Sequence, residues 1–139
     1  MNAGRILRSA GLDTDELRVV LTPINPDRIN IWPASKWLRL FWRPGIKGVT
    51  QARLVLVHPD LLNGDPEKLA RTVIHELVHV RQFAELGYIR FMAIYLADYF
   101  KGRRGGLSAS QAYKENPAEI EARSITDRLV RSASGKDVS

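Results

Sequence analysis

The stretch Ile74-His75-Glu76-Leu77-Val78-His79-Val80-Arg81-Gln82 is the one the rest of the chain is organised around. Residues four apart on an α-helix project from one face, so His75 and His79 can each offer a ring nitrogen to the same metal ion. Glu76 stands one residue on, rotated by about 100° around the axis. Its carboxylate then lies beside such an ion rather than on it, within reach of a proton on a water bound there. The chain has three histidines, and two of them are here. A plainer reading competes. Leu69, Val73, Leu77, Val80 and Ala84 form one apolar row with Ala70, Ile74 and Val78 beside it, while Lys68, Arg71, Thr72, His75, Glu76, His79 and Gln82 take the remaining stripe. A polar stripe on an amphipathic helix is ordinarily just the solvated face. The spacing favours the metal reading, which then requires a third protein ligand from elsewhere.

Composition narrows the ligand chemistry. At 139 residues, the chain is expected to form one domain (1–139) with its own core. It has 45% hydrophobic and 26% charged residues, as soluble globular proteins do. With no cysteine, disulfides and thiolate sites are excluded, so a metal must sit on histidine and carboxylate. Met1-Asn2-Ala3-Gly4-Arg5 is followed by no apolar core of signal-peptide length, and no run approaches a transmembrane helix. The expectation is a cytoplasmic protein. The formal charge of +6, from 21 basic and 15 acidic residues, biases the surface towards acidic partners. The basic residues are dispersed, with one knot at Lys101-Gly102-Arg103-Arg104 and no aromatic-plus-basic module, which disfavours nucleic acid.

Around the motif, local signals set the expected elements. Asn2–Ala10 reads as a short helix ended by Gly11, with Asp13 or Thr14 capping a further turn. Arg18-Val19-Val20-Leu21 reads as a strand from its β-branched residues, and Arg28–Trp32 as a half-buried strand from its alternation. Trp37–Trp42 fits either strand or short helix. With Trp32, the tryptophans Trp37 and Trp42 offer a peripheral membrane patch, although such clusters are more often core. Pro44–Gly48 is a loop, and Ala52–Val57 the best strand, apolar enough for burial on both faces. His58 at its end reads as a surface or hydrogen-bonded residue. Asp65 caps and Pro66 opens the motif helix, which Gly87 ends. Tyr88–Phe100 is a further helix, 101–110 a loop, and Asn116-Pro117 opens a final helix to about Ser132, burying Ala122, Ile125 and Leu129. The tail 134–139 is expected to fray.

The third ligand is expected to be a carboxylate, and the last helix begins Asn116-Pro117-Ala118-Glu119-Ile120-Glu121-Ala122-Arg123. With His75-Glu76-x-x-His79, this resembles the gluzincins, metallopeptidases that place H-E-x-x-H on one helix and a glutamate ligand on a later one. Glu119-Ile120-Glu121-Ala122 fits their E-x-x-A motif with Glu119 as ligand; the thermolysin form of the motif would select Glu121. Many relatives carry an aspartate four residues after the ligand, where it buttresses a zinc histidine. Here that position is Arg123, so the buttress must come from elsewhere, with Asp127 the candidate. Glu119 also has a plain reading, since Asn116-x-x-Glu119 matches a capping box. The resemblance covers roughly residues 54–130. It implies an α+β, zincin-like fold with a small sheet packed on the motif helix and two further C-terminal helices. It also implies zinc (Zn2+) on His75, His79 and Glu119, and peptide-bond hydrolysis with Glu76 as general base. Tyr113 is the candidate donor to the oxyanion, against a packing role. The rival is a non-catalytic domain of this fold that binds a protein partner or nucleic acid. Composition and motif leave the substrate undefined.

Overall fold

A computed structural model of the chain describes residues 1–39 and 46–135. Its elements are α1 (Ala3–Ser9), α2 (Asp15–Leu21), a 3-10 turn at Pro26–Arg28, β1 (Ile31–Pro33), α3 (Lys36–Arg39), β2 (Gly48–Gln51) and β3 (Leu54–Val57), followed by α4 (Pro59–Leu62), α5 (Pro66–Leu86), α6 (Tyr88–Arg104), α7 (Ala109–Lys114) and α8 (Pro117–Ala133). The architecture is α-rich with one small mixed sheet, an α+β arrangement. Strand order is β1-β3-β2, with β1 parallel to β3 and β2 antiparallel to it.

α5 is the central element, and α1, α2, α4, β2, β3, α6 and α8 pack on it. Asp65 accepts the Glu67 N–H, Pro66 fills the first position, and Gly87 stops the helix at φ +80, where an L side chain would be strained. Leu69, Ala70, Val73, Ile74, Leu77, Val78 and Val80 are buried together with Ile6 and Leu7 of α1, Leu17 and Leu21 of α2, Ile31 of β1, Val55 and Val57 of β3, and Ala122, Leu129 and Val130 of α8. The sheet therefore lies across one side of α5 and α8 across another, which is what carries residues distant in sequence to the same stretch of helix.

Several expectations are corrected. Arg18–Leu21 is helical, not a strand: the Thr14 hydroxyl accepts the Leu17 N–H, and Leu17 and Leu21, four apart, both point inward. Val19, whose β-branching suggested a strand, is exposed. Of the expected strand at Arg28–Trp32 only Ile31 and Trp32 are extended in β1, which runs on to Pro33, and Arg28 belongs to the 3-10 turn that Asn25-Pro26 starts. β3 buries Val55 and Val57 but leaves Leu54 exposed, so it packs on one face rather than two. β2 has no counterpart in the sequence reading. It pairs with β3 through a two-residue turn, Ala52-Arg53, with Ala52 at φ 56 where hairpins ordinarily place glycine or asparagine. Gly48 belongs to β2 rather than to a loop. The expected loop at 101–110 is mostly helix, which gives three helices after α5 instead of two.

Trp32 and Trp37 are 52% and 78% exposed, so they are surface residues rather than core. Of the Trp37–Trp42 segment, Trp37 to Arg39 belong to the short helix α3, while 40–42, including Trp42, lie outside the described residues, as do Pro44 and Gly45 of the expected loop and 136–139 of the tail. Among the described residues, no helix is long and apolar enough to cross a membrane.

Candidate metal centre

Glu119 meets the two histidines because of how α8 begins. The Asn116 side chain accepts the Ala118 N–H at 3.2 Å and donates to the Tyr95 carbonyl at 3.0 Å, fixing the first turn of α8 against α6. One turn in, Glu119 is turned inward and is 3% exposed. Its Oε1 accepts from His75 Nε2–H at 2.9 Å and from His79 Nε2–H at 3.1 Å, and its Oε2 accepts the Tyr95 hydroxyl at 2.9 Å. The Asn116 N–H goes instead to the Tyr113 carbonyl, so Glu119 does not close a capping box. The imidazoles of His75 and His79 stand edge to face, their centroids 4.9 Å apart.

The donor atoms of His75, His79 and Glu119 lie within 4.8 Å of one another, close enough to hold one metal ion. Around a tetrahedral ion with ligand bonds of about 2.0–2.2 Å, neighbouring donor atoms stand about 3.3 Å apart. The 2.9 and 3.1 Å separations at Glu119 Oε1 are within a few tenths of that. Two imidazole nitrogens and one carboxylate oxygen form a donor set compatible with a divalent metal ion such as zinc.

The solvated-face reading of the polar stripe holds at Lys68, which is exposed, and fails at Glu76, His79 and Gln82. Glu76, His79 and Gln82 are 4%, 6% and 6% exposed, beneath β2, α6 and α8. Burying polar groups is costly unless each has a partner, and each has one. His79 Nδ1–H donates to Gln82 Oε1 at 2.8 Å. The Gln82 amide is held in that orientation because its Nε2 donates to the Ala118 carbonyl at 3.2 Å and to Glu121 Oε1 at 3.0 Å. Glu121 is held in turn by Arg81 at 3.0 Å, and Arg81 also donates to the Val20 carbonyl. Glu121, the alternative ligand, is thus turned to Arg81 and Gln82 and serves the outer layer. Asp127 does not buttress a histidine. It pairs with Arg71 at 2.7 Å near the surface, and Gln82 takes the buttressing place on His79.

Glu76 is seated by β2. The Thr50 hydroxyl donates to its Oε2 at 2.6 Å, and a Cβ at Gly48 would lie 2.9 Å from its Oε1. The absent side chain of Gly48 is what lets the strand come down onto the carboxylate. Two hollows with shared lining residues adjoin this point. One, about 500 Å3, is lined by His75, Glu76 and Tyr113; the other, about 120 Å3, by His79, Glu119 and Tyr95, and both touch Gly48, Glu76 and Tyr113.

The titrating groups respond to this crowding. Burial alone would raise Glu119, but the His75 and His79 hydrogen bonds hold its carboxyl well below the usual carboxylate range. Burial alone would lower His79; its hydrogen bond to Glu119 and the nearby carboxylates of Glu76 and Glu119 override it and push the imidazole up to about 9. Burial and the Glu119 carboxylate drive the phenols of Tyr95 and Tyr113 far above their ordinary value, so both remain donors. His58 stands apart: it caps α4 through Nδ1 and pairs with Arg39 through Nε2.

Thr50, Gln82 and Tyr95 were not singled out in the sequence. Gln82 carried a signal, since it lies three residues after His79 on the same helix face. Thr50 and Tyr95 carried none, because strand pairing and helix docking bring them in from remote segments. Comparison with known family models, curated proteins and solved structures finds no match, so the functional reading rests on this geometry.

Proposed function

We propose that the chain is a gluzincin-like zinc metallopeptidase in which His75, His79 and Glu119 hold the ion and Glu76 is the general base. The observation that carries this is the buried convergence of both Nε2 atoms on Glu119, with the Glu76 carboxylate held beside them but outside the donor set. Zinc held there would lower the pKa of a bound water towards neutrality and would polarise the scissile carbonyl.

The protein groups account for the remaining work. Thr50 pins one oxygen of Glu76 at the wall of the hollow, where the carboxylate takes the proton of the attacking water and returns it to the leaving amine. Tyr113, still protonated and facing Glu76, is placed to donate to the oxyanion. Tyr95 fixes the Glu119 carboxylate rather than acting on substrate. β2 is an edge strand, so its outer backbone groups can pair with an extended peptide laid across the hollow.

Metal analysis and a mixed-peptide cleavage assay test this together. Wild type should bind one zinc per chain and cleave, and His75→Ala should lose both. Glu76→Gln should keep the zinc and the fold while losing about 10²–10⁴ in rate. A binding domain without catalysis would keep its function in Glu76→Gln, and cleavage at the wild-type rate in that variant would remove the mechanism.

A further inference from the structure

The larger hollow has an uneven charge. Lys47, Lys68, Arg71, Lys114 and Arg123 line it, against the carboxylates of Glu76 and Asp127. Five cations against two anions leave an excess of three positive charges on one face, half of the formal +6 of the chain. Asp127 is taken up by Arg71, and Glu76 is buried under Thr50. Arg123 is held at the rim by the Lys114 carbonyl at 2.6 Å. Among the described residues, no carboxylate pairs with Lys47, Lys68 or Lys114, and all three side chains are exposed.

Resting on the peptidase reading, we infer that this hollow selects peptide segments with aspartate or glutamate close to the scissile bond. Lys68, Arg71 or Thr72, and His75 follow one another on a single face of α5, so the cationic wall leads straight to the candidate metal. Lys68 is seven residues from His75, a rise of about 10 Å, which an extended peptide covers in about three residues. The acidic side chain is therefore expected within about three residues of the cleaved bond. Carboxylates on a peptide fit the hollow better than a nucleic-acid strand, because Tyr113 is the only phenylalanine, tyrosine or tryptophan in its lining and successive bases need successive stacking platforms.

The test uses binding as well as turnover. Fluorescent peptides of equal length, amidated at the C-terminus, would carry Glu, Gln or Lys around the centre. They would be titrated onto zinc-loaded Glu76→Gln and also supplied to zinc-loaded wild type for cleavage. We expect the Glu peptides to bind about tenfold more tightly than the Gln peptides, with the preference shrinking as salt rises. The double variant Lys68→Glu/Lys114→Glu should abolish the preference with zinc content and circular dichroism unchanged. Arg5→Glu/Arg131→Glu, an equal change of net charge away from the hollow, should retain it. Equal binding of Glu and Gln peptides overturns the inference, as does a preference that survives in Lys68→Glu/Lys114→Glu. A Gln peptide with a free C-terminus matching the Glu peptide would assign the site to a chain terminus instead. Tighter binding of a single-stranded oligonucleotide would assign it to nucleic acid. Acidic preference in binding with no cleavage by wild type would support the inference and overturn the peptidase reading. Equal cleavage of all sets would do the reverse.

Discussion

Gly48→Ala is the substitution that most directly probes how Glu76 is held. An added Cβ would lie 2.9 Å from Glu76 Oε1, 3.0 Å from its Cγ and 3.1 Å from its Cδ. Comfortable contacts between such atoms begin at about 3.5 Å, so the carboxylate or the strand has to give way by about half an ångström. The carboxylate has little room, because Thr50 holds it at 2.6 Å and β2 is tied to β3 along its length. Overpacking of this size costs about 1–2 kcal/mol and should lower Tm by a few degrees. A general base displaced by about half an ångström should lose about tenfold in kcat, given that an error of about 1 Å can cost 10²-fold. The zinc dissociation constant should not move, since the three atoms nearest the added Cβ all belong to Glu76 and not to a donor residue. Melting curves, zinc titration and peptide turnover on the same preparation would read all three. Wild-type Tm together with wild-type kcat would refute the idea that the bare backbone of Gly48 seats the carboxylate.

Further outcomes follow from the hydrogen bonds. Glu119→Ala should abolish tight zinc binding, whereas Glu121→Ala should leave zinc bound; a reversed pair of titrations would transfer the ligand role to Glu121. Gln82→Leu removes the acceptor on His79 Nδ1 and should weaken zinc binding about 10–100-fold in a chelator competition, an effect an outer-layer packing role would not produce. Asp13 is gripped by a two-pronged bond from Arg18, at 2.8 and 2.9 Å, which holds its carboxyl below the usual range although burial opposes this. Because the folded pKa is depressed, the stabilisation is present above the unfolded value of about 3.9 and is lost as pH falls through the folded one. Asp13→Asn should therefore lower the urea midpoint by the equivalent of about 1 kcal/mol at neutral pH, and the two proteins should converge in acid.

The motif helix was fully legible in the sequence. Asp65-Pro66, the apolar row and Gly87 are local signals, and α-helical geometry alone puts His75 and His79 side by side with Glu76 offset. The start of α8 was legible for the same reason, through Asn116-Pro117. Local signals misled where a short segment took its conformation from its packing: Val19-Val20 looked like a strand, yet the burial of Leu17 and Leu21 four residues apart made it a helix. Tertiary structure alone decided between Glu119 as a cap and Glu119 as a partner of the histidines, because both uses satisfy the same first turn. It alone brought Thr50 from β2 onto Glu76 and Tyr95 from α6 onto Glu119. Spacing along one helix is fixed by backbone hydrogen bonding, so a sequence carries it outright. Contacts between remote segments depend on which faces bury together, and no local pattern in this chain encoded that.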